Sequence, residues 1–418
     1  MDRGRVFVHR GGNMVNIAVL GYGTVGSGVV EVINTNPESI NMKAGDEINI
    51  KYVLDLREFP GSPIEKILVH DFETILNDDS VQIVVEVMGG VEPAYTFVKK
   101  SLLAGKHVCT SNKELVAKHG PELLTIAKEK NINFLFEASV GGGIPIIRPL
   151  TSSLTADEIR EISGILNGTT NFILSKMTDE GWEFEKALTT AQELGYAERN
   201  PEADVEGYDA CRKIAILSSL AFNDNVDFEE IYTEGITNIT AMDVAYAKKL
   251  DMAIKLLASS KKEDDNFYAM VAPFLVAEDN PLHAVNGVFN GIFVNGNVIG
   301  DLMFYGSGAG KLPTASAVVS DVVDCVKHIH KNIFIFWSSK KLPLTSIDEA
   351  VFRYFVRIKG KRANMLKTVQ SALGSVEQII ELEGAPDEFA VITDYTSEKN
   401  FKERSKNLDC IISRIRIK

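Results

Sequence analysis

The feature that most constrains this chain is a glycine loop, Gly21-Tyr22-Gly23-Thr24-Val25-Gly26, set between an apolar run at residues 15–20 and apolar residues at helical spacing over 25–33. A short apolar run that ends on glycine and passes at once into a helix opens a parallel strand–helix–strand unit. Each glycine has its own task in such a turn. Gly21 permits the tight reversal, Gly23 lets the backbone approach a pyrophosphate, and Gly26 allows the helix to pack closely on the strand. The helix N-terminus, with Thr24 and Val25 in its first turn, offers N–H groups and a partial positive charge to that pyrophosphate. The loop therefore predicts a dinucleotide cofactor. The plainer reading is a tight turn without a ligand, and the strand before it and the helix after it argue against that.

Further apolar runs at 48–54, 83–87, 107–110 and 133–136 alternate with helical stretches at 94–104 and 121–130. Repetition of this kind implies a mainly parallel sheet covered on both faces. The expected first domain is a Rossmann-type, doubly wound α/β unit over 14–140. Gly141-Gly142-Gly143 breaks the rhythm. Strands are expected at 159–166, 266–276 and 287–294, and helices at 172–177, 182–194 and 209–220, giving a second, α+β domain over 141–330. A second glycine-rich loop, Gly306 to Gly310, precedes a small-residue helix over 309–326 that is expected to pack back on the first domain. A linker over 331–350 leads to a module at 351–418. Its predicted order, strand–helix–strand–strand–helix–strand, is that of a small ferredoxin-like fold. Residues 1–13 are basic (Arg3, Arg5, His9, Arg10) without an apolar segment of signal-peptide type. They read as an extension without a role in the fold, with Met14 a natural start.

The formal net charge of −13 argues against a general nucleic-acid partner, because phosphate binding needs a basic surface. No apolar run reaches the roughly 20 residues needed to span a bilayer, so a cytoplasmic, non-membrane protein is expected. The four cysteines (Cys109, Cys211, Cys325, Cys410) are widely spaced, with no Cys-x-x-Cys pair, and read as reduced thiols rather than a redox or zinc site.

The second apolar strand runs into Asp55 and Arg57. An acid at that position favours the ribose hydroxyl of NAD, and an arginine favours the 2′-phosphate of NADP. With both present the choice stays open, leaning to NADP. Lys113, in Ser111-Asn112-Lys113, follows a strand end and so falls beside the cofactor crevice, although a lone lysine is commonly a surface charge. A second cluster is Glu198, Asp204, Asp209 and Lys213. Asp209 and Lys213 lie four apart and share a helix face. They read either as a surface ion pair or as a charged wall that binds an amino acid and moves a proton. Spacing does not choose between these.

The chain resembles the homoserine dehydrogenase family. The resemblance rests on Gly21-Tyr22-Gly23-Thr24-Val25-Gly26-Ser27-Gly28, Ser111-Asn112-Lys113-Glu114-Leu115 and Glu137-Ala138-Ser139-Val140-Gly141-Gly142-Gly143-Ile144-Pro145. It continues through Asn167-Gly168-Thr169-Thr170-Asn171, Gly195-Tyr196-Ala197-Glu198, Asp204-Val205-Glu206-Gly207-Tyr208-Asp209-Ala210 and Gly306-Ser307-Gly308-Ala309-Gly310. It implies NAD(P)-dependent interconversion of L-homoserine and L-aspartate 4-semialdehyde, in threonine, methionine and isoleucine biosynthesis. By the same resemblance Lys213 and Lys113 are the catalytic residues: Lys213 is the proton donor, and Lys113 lies at the cofactor–substrate junction. Glu198, Asp209 and Asp204 bind substrate, while Gly195 and Gly308 join the cofactor-binding set. A Na⁺ ion is implied at Glu137, Val140, Gly142 and Ile144. A homodimer or higher homo-oligomer formed through the second domain is implied as well, and the C-terminal module resembles the ACT domains that sense an amino-acid effector. The effector loop does not match: Gly360-Lys361-Arg362-Ala363 has a displaced glycine and basic residues at the polar positions. Two other readings are another Rossmann amino-acid dehydrogenase and a non-catalytic nucleotide sensor. The lysines and carboxylates of the two clusters speak against the sensor.

Overall fold

The structure, a computed structural model, describes residues 13–418; the expectation for 1–12 lies outside the described residues. The chain divides into two compact units. One runs to Thr151 and resumes over Ala309–Ser339; the other comprises Ser152–Gly308 and Lys340–Lys418.

In the first unit β1 (Met14–Leu20) leads through the glycine loop into α1 (Thr24–Thr35) and α2 (Pro37–Ala44). There follow β2 (Glu47–Leu54), β3 (Leu68–Val69), α3 (Phe72–Leu76), β4 (Val81–Glu86), α4 (Ala94–Leu103), β5 (His107–Thr110), α5 (Lys113–Glu129) and β6 (Phe134–Leu135). The sheet order is β3-β2-β1-β4-β5-β6, parallel throughout. It is the doubly wound arrangement expected from the sequence, and its order reverses between β1 and β4. Residues 17–20 of β1 are fully buried, because helices cover both faces of the sheet.

The second unit contains β7 (Ile159–Ile165), α6 (Gly168–Glu180), α7 (Phe184–Glu193), α8 (Glu202–Val205), α9 (Tyr208–Phe222) and β8 (Tyr232–Thr233). It continues with α10 (Ala241–Lys249), β9 (Met252–Glu263), β10 (Asn266–Ala277), β11 (Phe289–Gly296) and β12 (Gly300–Ser307). The chain then returns to the first unit as α11 (Lys311–Lys327). Here α11 packs on α1: a Cβ on Gly28 would stand 2.7 Å from the Lys311 carbonyl oxygen, so glycine is what lets the two helices touch. The segment after α11 adds Trp337, fully buried against Phe136 and over Gly120, where a Cβ would meet the indole at 2.2 Å.

The last segment runs β13 (Val351–Lys359), α12 (Arg362–Leu373), β14 (Val376–Ile380), β15 (Glu388–Thr393), β16 (Thr396–Ser397), α13 (Glu398–Ser405) and β17 (Ile411–Ile417). Its main strands lie in the order β17-β13-β15-β14, which is ferredoxin-like. They do not form an independent sheet. β17 pairs parallel with β10, Phe274 beside Arg416, so one sheet runs from β12 to β14. Two buried ion groups lock this continuity. Arg416 pairs with Glu398 at 2.9 Å and Glu234 at 2.7 Å; Arg357 pairs with Asp243 and Glu388, both at 2.9 Å. Removing one partner of such a buried pair costs about 3–5 kcal/mol, because it leaves the other charge uncompensated.

All four cysteines are free. Among the described residues no helix is long and apolar enough to cross a membrane, and no group of three His, Cys, Asp or Glu side chains is placed to hold a metal.

Candidate active site

The glycine loop has the geometry its sequence predicts. A Cβ on Gly26 would stand 1.9 Å from the Gly21 carbonyl oxygen, so α1 meets the strand only because residue 26 is glycine. Gly21 has φ +97°, a left-handed conformation that favours glycine. At Gly23 the opposite holds: an added Cβ would meet nothing within 4 Å. Gly23 is the N-cap of α1, makes no side-chain cap bond, and precedes a first turn free of acidic residues. An uncapped helix N-terminus facing open space suits a diphosphate. The residues present therefore fit a dinucleotide.

At the end of β2 the Asp55 carboxylate accepts from the Tyr22 N–H at 2.8 Å and from Arg57 three times, Nε and Nη2 both at 2.9 Å and the backbone N–H at 3.0 Å. The Arg57 side-chain and backbone donors, with the Tyr22 N–H, hold the Asp55 carboxyl well below the usual carboxylate range. Arg57 remains exposed and lies over the Phe59 ring at 5.1 Å. Lys113 opens α5, directly after the N-cap Asn112.

In the second unit Asn167 sits between β7 and α6. Its Oδ1 caps α6 by accepting from the Thr170 N–H at 2.9 Å. Its Nδ2 donates to Asp204 Oδ1 at 2.7 Å and to Asp209 Oδ2 at 3.0 Å. Lys213 Nζ donates to the same Asp209 oxygen at 2.6 Å and to the Leu166 carbonyl at 2.7 Å. Lys213 and Asp209 side chains are only 11% and 9% exposed, which removes the surface-pair reading that spacing had left open. An ammonium has three N–H bonds; two are held by oxygens, so the lysine is fixed in direction with one bond to spare. Asp209 stands in the first turn of α9, where the helix dipole favours a carboxylate. The structure thus brings Asp204, Asp209 and Lys213 together. Asn167 stands in a family motif without an evident role in the sequence; its place at a strand end and helix cap is the signal that marks it.

Glu198 is not drawn into this network. It is exposed, and among the described residues its carboxylate makes no hydrogen bond or ion pair, although its carbonyl accepts from Gln192. Gly195 follows α7 with φ +75° and open space around it. Gly308 is required for packing: a Cβ there would lie 1.9 Å from the buried Asn290 amide. Glu137 is buried, and its carboxylate gathers the N–H groups of Ile146 (2.6 Å), Ile147 (2.8 Å) and Arg148 (2.8 Å). Val140, Gly142 and Ile144 lie in the intervening loop, where Gly141 and Gly142 have positive φ.

The doubly wound sheet with its open glycine loop is that of an NAD(P)-dependent oxidoreductase. Residues 21–137 match the model of the "Homoserine dehydrogenase, NAD binding domain" family, and residues 145–323 that of "Homoserine dehydrogenase". A homoserine dehydrogenase of Bacillus subtilis is 38% identical over 94% of this chain and 95% of its own length. One of Synechocystis is 48% identical over 75% of this chain and 73% of its own. The crystal structure of a homoserine dehydrogenase from Thiobacillus denitrificans superimposes with a TM-score of 0.90 at 36% identity, covering 98% of this chain and 99% of that one. A hyperthermophilic archaeal homoserine dehydrogenase in complex with NADPH matches 75% of this chain and 98% of its own at TM-score 0.65 and 29% identity. This chain belongs to the homoserine dehydrogenase family.

Proposed function

We propose that the chain interconverts L-homoserine and L-aspartate 4-semialdehyde with Lys213 as the proton carrier. The observation behind this is the largely shielded Lys213 ammonium, aimed by Asp209 and the Leu166 carbonyl. A nicotinamide cofactor, when bound, supplies or accepts the hydride. Lys213 gives a proton to the aldehyde oxygen during reduction, and its charge stabilises the negative charge that grows there. Asp204 and Asp209 hold the substrate ammonium, with Asn167 fixing both carboxylates; Glu198 adds a carboxylate from its exposed position. Gly21, Gly23, Thr24, Val25 and Gly26 hold the diphosphate, and Lys113, Gly195 and Gly308 complete the cofactor-binding set.

NADP is the preferred cofactor in this reading. Asp55 is already occupied by the Tyr22 N–H and by the Nε and Nη2 edge of Arg57, and the exposed Arg57 guanidinium keeps its Nη1 side for a phosphate. Arg57→Ala is expected to raise KM for NADP about tenfold or more, the scale of one lost charge-assisted bond, with a smaller change for NAD. Equal changes in the two KM values would contradict the preference.

For a cation, Glu137 and the carbonyls of Val140, Gly142 and Ile144 form an oxygen-only donor set. Three of the four acceptor positions of the Glu137 carboxylate are used by N–H groups. One is left for a hard cation. Turnover is expected to be higher in sodium than in choline at equal ionic strength, and identical rates would remove the ion from the account.

A homodimer or higher assembly through the second unit is supported by β12, an edge strand that carries exposed Tyr305 stacked on Phe289 at 5.3 Å. The ACT-like segment serves structure in this reading, given its continuous sheet and buried ion groups, rather than an amino-acid effector.

A further inference from the structure

We propose that Glu86 is a positioning residue of the cofactor crevice, whose buried carboxyl ties the loop 87–90 to the segment 110–113 that leads to Lys113. The proposal rests on reading the strand ends of the first unit as that crevice. Glu86 is the last residue of β4, opposite Leu20 of β1 and Thr110 of β5. These strand ends stand where the sheet order reverses, the place where doubly wound folds bind their ligands.

The Glu86 side chain is fully buried. Its Oε1 accepts from the Met88 N–H at 2.8 Å and its Oε2 from the Thr110 hydroxyl at 2.5 Å. Thr110 Oγ1 in turn accepts from the Asn112 N–H at 2.9 Å. Asn112 donates through its side chain to the Gly90 carbonyl at 2.6 Å, and its Oδ1 caps α5 by accepting from the Leu115 N–H at 3.1 Å. The bonds close a ring from Glu86 through Thr110 and Asn112 back to the 87–90 loop. Met88 also reaches the glycine cradle: its Cγ lies 3.1 Å from where a Cβ on Gly21 would stand. One carboxyl therefore holds the segments on either side of it, and Lys113 is the next residue after Asn112.

The proton state of Glu86 sets how firmly this ring is held. The groups acting on its carboxyl are uncharged: the Thr110 hydroxyl, the Met88 N–H and the Asn112 side chain. Charged residues on the flanking segments are Glu92 after the loop and Lys113 and Glu114 at the start of α5. Burial pushes the Glu86 carboxyl up to about 7, and the hydrogen bonds pull the other way. As a carboxylate it accepts on both oxygens, as observed. Protonation at Oε2 reverses the Thr110 bond: the hydroxyl oxygen, which has two acceptor positions, takes the Glu86 proton beside the Asn112 N–H, and its own hydrogen turns away. Only the ionised form makes the Met88 and Thr110 bonds charge-assisted, and it holds the ring most firmly.

The test is the pH dependence of Glu86→Gln. Wild-type kcat/KM is expected to rise through an inflection near 7, following the Glu86 carboxyl. The variant is expected to lose that inflection and to run about tenfold or more below the wild-type plateau, equivalent to about 1.4 kcal/mol in the barrier. Stability should move the other way. A carboxyl raised on folding makes the folded state bind the extra proton, so ionised Glu86 costs stability above its folded pKa; at about pH 8 the glutamine variant should melt at or above wild type. If Glu86→Gln does not fold, Thr110→Val should lose the inflection and Thr110→Ser should restore it. An unchanged profile and plateau in Glu86→Gln, or identical profiles for the two Thr110 variants, overturns the proposal. Normal cofactor binding by Gly26→Ala would instead overturn the crevice assignment.

Discussion

Replacing Lys213 with alanine is expected to lower kcat by more than about a hundredfold, the scale of a positioned acid or base, while leaving the cofactor dissociation constant within about twofold. Lys213 is anchored at 2.6 Å to Asp209 and at 2.7 Å to the Leu166 carbonyl, so its remaining N–H has a defined direction. Without it, the developing alkoxide has neither a proton source nor a compensating charge. The fold should tolerate the change. Asp209 keeps the Asn167 amide at 3.0 Å and its place in the first turn of α9. The cofactor loop belongs to the other unit, so its binding is a separate readout. Rapid-quench and equilibrium binding measurements on the variant separate the two quantities. Wild-type turnover would show that another group carries the proton.

The second large effect is expected at the glycine loop. Gly26→Ala puts a methyl group 1.9 Å from the Gly21 carbonyl oxygen, a main-chain atom that cannot swing aside as a side chain can. The loop must open, and the α1 N-terminus leaves the pyrophosphate. Charge-assisted bonds are worth about 1.5–3 kcal/mol each. Losing two therefore predicts cofactor binding weakened by about a hundredfold or more. Calorimetric titration of both NAD⁺ and NADP⁺ into the folded variant measures this. Gly23→Ala is the contrasting control for loop geometry, since a Cβ at Gly23 meets no protein atom within 4 Å. A clash confined to bound cofactor would appear there with no change in the melting temperature of the free protein.

Much of this was readable from the chain because the informative patterns are local. The loop at 21–26 sits between a strand and a helix of unmistakable periodicity, and Gly21 and Gly26 answer to contacts within a few residues or one neighbouring strand, while Gly23 answers to open space. The reading was weaker where pairing is non-local. β9 carries no alternation because residues 253–258 are buried throughout, so period alone does not mark it as a strand. Within it Lys255 is buried, its ammonium donating to the Val285 carbonyl at 2.6 Å and Asn286 Oδ1 at 2.7 Å, and burial pushes it down to about 8. Nothing near Lys255 in the chain announces this. The parallel pairing of β17 with β10 joins residues more than a hundred positions apart, and no local signal foretells it.

The site divides in the same way. Asp209 and Lys213 share a helix face and were recognisable as a pair; whether they were surface or buried was decided by packing. Asn167, which ties Asp204 to Asp209, and Glu86, which ties two loops together, are single polar residues at strand ends. Such residues look the same in sequence whether they face solvent or a closed interior. Glu198 is the reverse case: prominent in a motif, yet exposed and without a partner for its carboxylate among the described residues.

The central claim is that Lys213 is the proton carrier in NAD(P)-dependent oxidation of L-homoserine. Its most direct test follows cofactor reduction spectrophotometrically with L-homoserine and either NAD⁺ or NADP⁺, for wild type and Lys213→Ala side by side. The account predicts reduction by wild type, faster at low cofactor concentration with NADP⁺, and a loss of more than about a hundredfold in the variant despite intact cofactor binding. Equal rates in the two proteins, or no homoserine-dependent reduction by wild type with either cofactor, would contradict it.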